Sequence, residues 1–212
     1  MAAALDSSVD HTLTSDGRNL NEVRASAGFS GALSEVRVPA GAYAAFVELH
    51  IEQGPILEQR LLDIGVVTAI AAPASLRIVI EGEGGHAGTV LMPDRRDAFL
   101  AAAEIALAVE AAARSTGSID TVATVGVCDV FPGAINSVPS RARLEVDLRD
   151  IDLARRDSML VSIGRSSEEV AARRRVTVRL EPINADPPAQ WRSRSSTRSS
   201  LRAKHTACAI SG

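Results

Sequence analysis

Aromatic residues are scarce in this 212-residue sequence: Phe, Trp and Tyr make up 3% of it, against 46% hydrophobic residues overall. Any core must therefore be built from Ala, Val, Ile and Leu. Cysteine is nearly absent too. Cys128 and Cys208 lie far apart with no ligand spacing, which excludes a disulfide framework or a zinc knuckle. No apolar run is long enough to span a bilayer, and the amino terminus lacks a basic-then-apolar signal pattern. Nor is positive charge in excess: 23 Lys and Arg against 26 Asp and Glu leave a net charge of −3, giving no overall reason to expect a nucleic-acid partner. There is no internal repeat. The length suits one large domain or two small ones, with a sizeable core.

What the chain does have is an abrupt switch of polarity. Residues 43–55 read Tyr-Ala-Ala-Phe-Val-Glu-Leu-His-Ile-Glu-Gln-Gly-Pro, an apolar strand-forming stretch that turns polar and stops at a Gly-Pro turn. His50, Glu52 and Gln53 then stand at the carboxyl end of an expected strand, the usual place for a site in an open α/β sheet. Imidazole is the commonest metal ligand, yet His50 reads equally well as a hydrogen-bonded core residue.

Upstream, residues 21–29 suit a short helix ended by Gly28. His11, among Asp and Ser, reads as a surface residue. Downstream, residues 64–70 read as a second buried strand, and Pro73-Ala74-Ser75 as a hinge. Residues 76–82 alternate as a half-buried strand. The clearest helix spans 94–114, with Phe99, Ala102, Ala103, Ala106 and Val109 on one face. Strands are expected at 121–130 and 141–148, joined by a loop over 132–139. A second helix begins near Leu153 behind an Asp152 cap and carries Met159, Leu160, Ile163 and Val170; residues 176–180 close the unit as a strand. Strand, helix, strand, strand, helix, strand is the ferredoxin-like βαββαβ pattern: an antiparallel sheet with two helices on one face. The expected fold class is α/β, with this α+β unit over residues 74–185, a separate segment over 1–73 and a divergent tail over 186–212.

Glu48-Leu49-His50-Ile51-Glu52-Gln53-Gly54-Pro55 resembles the signature of the amidase and carbamoylase branch of the dinuclear-metal aminoacylase-type hydrolases. Further segments match in the same order: Gly84-Gly85-His86-Ala87-Gly88, then Arg95-Arg96-Asp97-Ala98, then Pro132-Gly133-Ala134-Ile135-Asn136-Ser137-Val138-Pro139, and last Asp147-Leu148-Arg149-Asp150. The branch includes N-carbamoyl amino acid hydrolases, yeast-type β-ureidopropionase, allantoate amidohydrolase and ureidoglycolate amidohydrolase. Residues 62–76, 90–93 and 117–122 look most like the ureidoglycolate amidohydrolases of plants. The likeness runs from about residue 20 to residue 188.

The resemblance implies hydrolysis of a linear ureido C–N bond by water held between two divalent metals, manganese or zinc. The reaction would take ureidoglycolate to glyoxylate, ammonia and carbon dioxide in purine (allantoin) catabolism. It implies that His50 is a metal ligand and that Ile51, Glu52 and Gln53 join it around a small ureido substrate. His86, between glycines that let backbone come close, would stabilise the oxyanion of a neighbouring subunit's site. Asn136 would offer donor and acceptor to the ureido group, and Arg149 would capture a carboxylate. Simpler readings stand beside these: Glu52 as a structural acid, Asn136 as a turn residue, Arg149 paired with Asp147, Asp150 or Asp152. Residues 1–73 would be part of an α/β metallohydrolase catalytic domain, and 74–185 its lid and homodimerisation domain. Plant relatives imply the endoplasmic reticulum; a chain with no signal segment would be cytoplasmic.

The family's other ligands and its catalytic glutamate lie in segments with no counterpart here, so the expectation is an incomplete and inactive form. Residues 191–204 carry five basic residues and no acidic one, and His205 follows without family context. They read as a disordered, phosphorylatable Arg/Ser arm or as an altered terminus. Rival functions are allantoate or N-carbamoyl amino acid hydrolysis, a non-catalytic dimerising fragment, and a binding protein acting through the tail.

Overall fold

The computed structural model describes residues 17–31, 38–39, 41–44 and 47–190, and the backbone of 207–210. His11, the Arg/Ser stretch over 191–204 and His205 lie outside the described residues. The chain divides into two compact units, Met1–Gln53 and Gly54–Gly212, a boundary well before Pro73.

In the first unit, α1 (Leu20–Ser26) is the short helix expected over 21–29, starting one residue earlier behind Asn19 and ending ahead of Gly28. The Asn19 side chain accepts from the Asn21 N–H at 2.8 Å, Glu22 accepts from the Asn19 N–H at 3.1 Å, and Gly28 turns the chain at φ 85°. The strand expected over 43–49 is not formed among the described residues. Residues 47–50 have no regular structure, and Val47 and Leu49 are almost fully exposed. Without a described strand beside them, their backbone groups have no ladder to join.

The second unit runs α2 (Ile56–Gln59), β1 (Ile64–Val67), β2 (Ala69–Ile70), β3 (Ala72–Glu81), β4 (Gly85–His86), α3 (Ala98–Ser115), β5 (Val122–Phe131), β6 (Ser137–Val138), β7 (Arg141–Asp150), α4 (Leu153–Arg174), β8 (Thr177–Ala185), β9 (Ala189–Gln190) and β10 (Ala207–Ile210). Its centre is a four-stranded sheet in the order β5-β7-β3-β8, antiparallel throughout. With α3 and α4 as the crossovers, this is the βαββαβ connectivity expected from the pattern. Alternation then sorts the residues. Leu76, Ile78 and Ile80 of β3 and Leu144, Val146 and Leu148 of β7 turn to the helices and are buried against Ile105, Val109, Met159 and Ile163. Alanines at 98, 101, 102 and 112 let α3 lie close to the sheet. The opposite sheet face is a charge ladder, with Arg77 on Glu145 at 2.9 Å, Arg179 on Glu81 at 3.0 Å and Arg143 on Asp129. Exposed pairs of this kind stabilise little one by one.

Three expectations need correction. The 64–70 strand is two short strands whose Ile64, Val67 and Ile70 are each about half exposed. Pro73 is not a hinge: it lies in β3 opposite Arg149, with its carbonyl accepting from the Asp186 N–H at 3.3 Å. A strand residue's N–H and C=O point to the same side, and on Pro73 that side faces Asp186, one step beyond the last β8 pair, Ala74 with Ala185. Its missing N–H would have met the Asp186 carbonyl, to which Arg156 donates instead, so the proline is tolerated at the end of the ladder. The long helix starts at Ala98 instead of 94, because Asp97 caps it by accepting from the N–H groups of Phe99 and Leu100. Its buried face is Ala98, Ala101, Ala102, Ile105, Val109 and Ala112, which leaves Phe99 partly exposed.

The segment after 185 also contributes structure. β9 pairs with β2 antiparallel and β10 with β1 in parallel, so parts of the divergent tail over 186–212 complete two small ladders. Among the described residues no helix is long and apolar enough to cross a membrane.

On α4, which Asp152 caps as expected by accepting from the Arg155 N–H at 3.0 Å, Ser167 is fully buried and its hydroxyl has no partner among the described residues. An unmet buried hydroxyl costs desolvation with no return. Ser167→Ala will therefore raise stability by about 1 kcal/mol in urea unfolding; a loss of similar size would mean that the hydroxyl is satisfied.

Candidate functional site

His86 and Asn136 come together, and the backbone shows why. β3 ends at Gly82, where a Cβ would stand 2.0 Å from the Arg96 carbonyl oxygen, so only glycine admits that approach. The Gly82 N–H donates to the Ser140 carbonyl at 2.8 Å, and the Ser140 N–H to Phe131 at 3.0 Å, closing the loop that carries Asn136. Beyond Gly82 the chain forms β4, whose Gly85 and His86 pair with Val138 and Ser137 of β6. The Ala87 N–H then donates to the Asn136 carbonyl at 2.8 Å. Both side chains belong to exposed residues.

The His86 ring has a defined polarity. Its Nδ1 lies 3.1 Å from the Gly88 N–H and must accept, because a backbone amide only donates. A neutral imidazole in that state keeps its proton on Nε2. The exposed nitrogen is thus a donor, as an oxyanion requires. Gly88 suits the contact, since even a Cβ there would come within 3.3 Å of the ring.

Arg149 is elsewhere. It projects from the charged face of β7, opposite Pro73 and Val122, whereas the loop carrying Asn136 adjoins Arg141 at the other end of the same strand. Arg149 lies eight residue steps along β7 from Arg141, roughly 26 Å of extended chain. One copy of this unit does not bring Arg149 to His86 and Asn136. Its Nε–H donates to Asp147 at 2.7 Å, the simple ion pair among the readings, while the guanidinium stays about half exposed. That single tie fixes the plane of the fork and leaves its end open to a carboxylate.

The next residue, Asp150, is fully buried. Arg155 donates to its two oxygens at 2.7 and 2.6 Å, the Thr121 hydroxyl at 2.5 Å and the Asp152 N–H at 2.8 Å. Burial pushes this carboxyl up, but those bonds outweigh it and hold it below the usual carboxylate range. The network anchors the end of β7 that bears Arg149.

His50 belongs to the first unit. It is exposed, and its Nδ1 is 2.6 Å from the Ile51 carbonyl, so Nδ1–H donates and Nε2 keeps a free lone pair. That is the usual state of a metal-binding histidine. Ile51 and Gln53 are exposed and Glu52 half-buried. Among the described residues, however, no group of three His, Cys, Asp or Glu is placed to hold a metal. A single imidazole does not fit a two-metal centre, and the described residues alone do not build one.

Sequence reasoning missed Arg95, taken only as part of a helix start. It is extended, half-buried and bonded to the turn after His86. The available signal was its position: a cation soon after a glycine-flanked histidine, just ahead of the Asp97 cap.

No family model matches the chain. It is 55% identical over 185 residues to the ureidoglycolate hydrolase of Arabidopsis thaliana, covering 84% of this chain and 39% of that protein. It is 37% identical over 189 residues to the N-carbamoyl-L-amino acid amidohydrolase of Geobacillus stearothermophilus, covering 89% and 46%. The crystal structure of AtUAH in complex with (S)-hydroxyglycine matches with a TM-score of 0.82 at 46% identity, covering 99% of this chain and 51% of that one. The same protein is also known in complex with glyoxylate. The chain spans about half or less of the length of these relatives. With 55% identity across 84% of its own length, it belongs to the amidohydrolase family that holds the ureidoglycolate hydrolases and the N-carbamoyl amino acid amidohydrolases.

Proposed function

We propose that this chain serves the hydrolysis of ureidoglycolate, in purine (allantoin) catabolism. The observation that carries the reading is the juxtaposition of His86 and Asn136 across the β4–β6 pair, in a chain 55% identical to a ureidoglycolate hydrolase. Water attacking the ureido carbonyl releases hydroxyglycine and carbamate. Carbamate breaks down to carbon dioxide and ammonia, and hydroxyglycine loses a second ammonia to leave glyoxylate. Hydroxyglycine and glyoxylate are the ligands of the AtUAH structures, which supports this substrate. Allantoate and N-carbamoyl amino acids are the rival substrates, the latter favoured only by the 37% relative.

On this reading the His86 Nε2–H donates to the carbonyl oxygen as charge develops on it. The Asn136 carboxamide holds the ureido nitrogens, and Arg149 grips the carboxylate. Residues 74–185 act as a lid that dimerises. The opposite placement of Arg149 and His86 supports this, because a two-fold pair can present one end of each copy to each site. Residues 1–73 form part of the catalytic domain, where His50 Nε2 is one ligand of a divalent metal, manganese or zinc and two per site. Further donors must join it there.

The test replaces the matching stretch of the Arabidopsis hydrolase with residues 20–188 of this chain and measures ammonia release from ureidoglycolate, allantoate and N-carbamoyl amino acids. Ureidoglycolate is expected to be the preferred substrate; preference for an N-carbamoyl amino acid would overturn the assignment. In the same hybrid, Arg149→Lys keeps the charge but loses the planar fork. Loss of one charged hydrogen bond costs about 1.5–3 kcal/mol, or about one to two decades in kcat/KM. Unchanged kinetics would remove Arg149 from the site.

A further inference from the structure

We propose that Arg95 is a positioning residue for His86: its guanidinium clamps the turn after β4 and so holds the imidazole in its Nε2–H form. The inference rests on the proposed function only for the use made of that proton.

The turn over residues 86–90 is short and self-bonded. The N–H groups of Thr89 and Val90 both lie 3.1 Å from the His86 carbonyl, and Gly88 donates to the ring. This leaves the carbonyls of Ala87 and Val90 facing away from the turn's own amides. Arg95 meets both, through its terminal nitrogen to Ala87 at 2.6 Å and its Nε to Val90 at 3.1 Å. Two acceptors on one planar fork fix the separation of the two carbonyls, and with it the tilt of the Gly88 amide between them. The clamp is itself well anchored. Arg175 donates to the Pro93 carbonyl at 2.5 Å on one side of it, and the Glu83 N–H donates to Arg96 at 2.9 Å on the other. Asp97 then caps α3. Rigidity thus passes from the core helix through Arg95 to the Gly88 amide and the His86 ring. The Ala87 bond to Asn136 puts the neighbouring candidate residue in the same frame.

The experiment uses the chain itself, labelled with 15N-histidine and 15N-glycine, at pH ~8.5, where an ordinary imidazole is neutral. His86 is identified by its absence from a His86→Gln spectrum. In the unsubstituted protein, Nδ1 should appear as the unprotonated, pyridine-like nitrogen and Nε2 as the protonated, pyrrole-like one. Arg95→Ala should move both signals toward the average of mixed tautomers. It should also speed exchange of the Gly88 amide about tenfold or more, since a charged hydrogen bond is worth at least a decade in an equilibrium. Arg95→Lys should give intermediate shifts, because a single ammonium satisfies one carbonyl well but not both at once. A folded Arg95→Ala protein with a pure Nε2–H signal and unchanged Gly88 exchange would overturn the proposal. If that variant does not fold, unchanged signals in Arg95→Lys would do the same. Neither readout depends on turnover, so an inactive hybrid enzyme with a clamped His86 would count against the function and not against Arg95.

Discussion

Asp150→Ala will cost the protein about 3–5 kcal/mol, since breaking a buried pair leaves its partners uncompensated. Arg155, whose side chain is 30% exposed, loses the acceptor of two hydrogen bonds; the Thr121 hydroxyl and the Asp152 N–H lose theirs as well. Partial hydration of Arg155 places the expected loss toward the lower figure. The effect carries a pH signature. Burial raises the Asp150 carboxyl, but the bonds from Arg155, Thr121 and Asp152 lower it more, so its folded pKa lies below its unfolded value near ~3.9. A depressed carboxyl contributes stability that is fully present above the unfolded pKa and is lost as pH falls through the folded one. Urea unfolding at pH 7 and at pH ~3 should therefore show the gap between native protein and variant shrinking in acid. A gap independent of pH would mean that Asp150 carries no differential proton affinity. Because the network closes the strand end bearing Arg149, the same variant should also loosen that residue.

The βαββαβ unit was legible because alternation and capping are local signals. Residues 76–82 and 141–148 alternate cleanly, and Asp152 marks a helix start that the structure keeps. What failed depended on distant partners. Residues 43–49 have a strand's composition, but no described strand lies beside them to pair with. Pro73 reads as a breaker until its place at the end of the β8 ladder shows that the Asp186 carbonyl facing it is met by Arg156 instead. Phe99 outranks alanine in hydrophobicity, yet the buried stripe of α3 runs through the alanines, because close contact with the sheet favours small side chains. His86 and Asn136 were legible as candidates. Their juxtaposition was not, since it follows from the register of two-residue strands with 50 residues between them. The separation of Arg149 from them follows from the length of β7, which has the Asn136 loop at one end and Arg149 at the other. Arg95 was invisible because its partners are main-chain carbonyls, which leave no mark in composition.

The most direct test of the account asks whether His86 and Arg149 act in one site from two copies. In the hybrid enzyme, His86→Ala removes the oxyanion donor and should lower kcat by about 10²–10³, and Arg149→Ala removes the carboxylate grip. Mixed after unfolding and reassembly in equal amounts, half of the two-fold dimers should hold one copy of each variant. If His86 serves the partner's site and Arg149 its own, each mixed dimer has one site with both defects and one with neither. Ammonia release from ureidoglycolate should then recover to about a quarter of the unsubstituted level, from two nearly inactive proteins. Activity no higher than that of the separate variants, in a mixture verified to contain mixed dimers, would contradict the account.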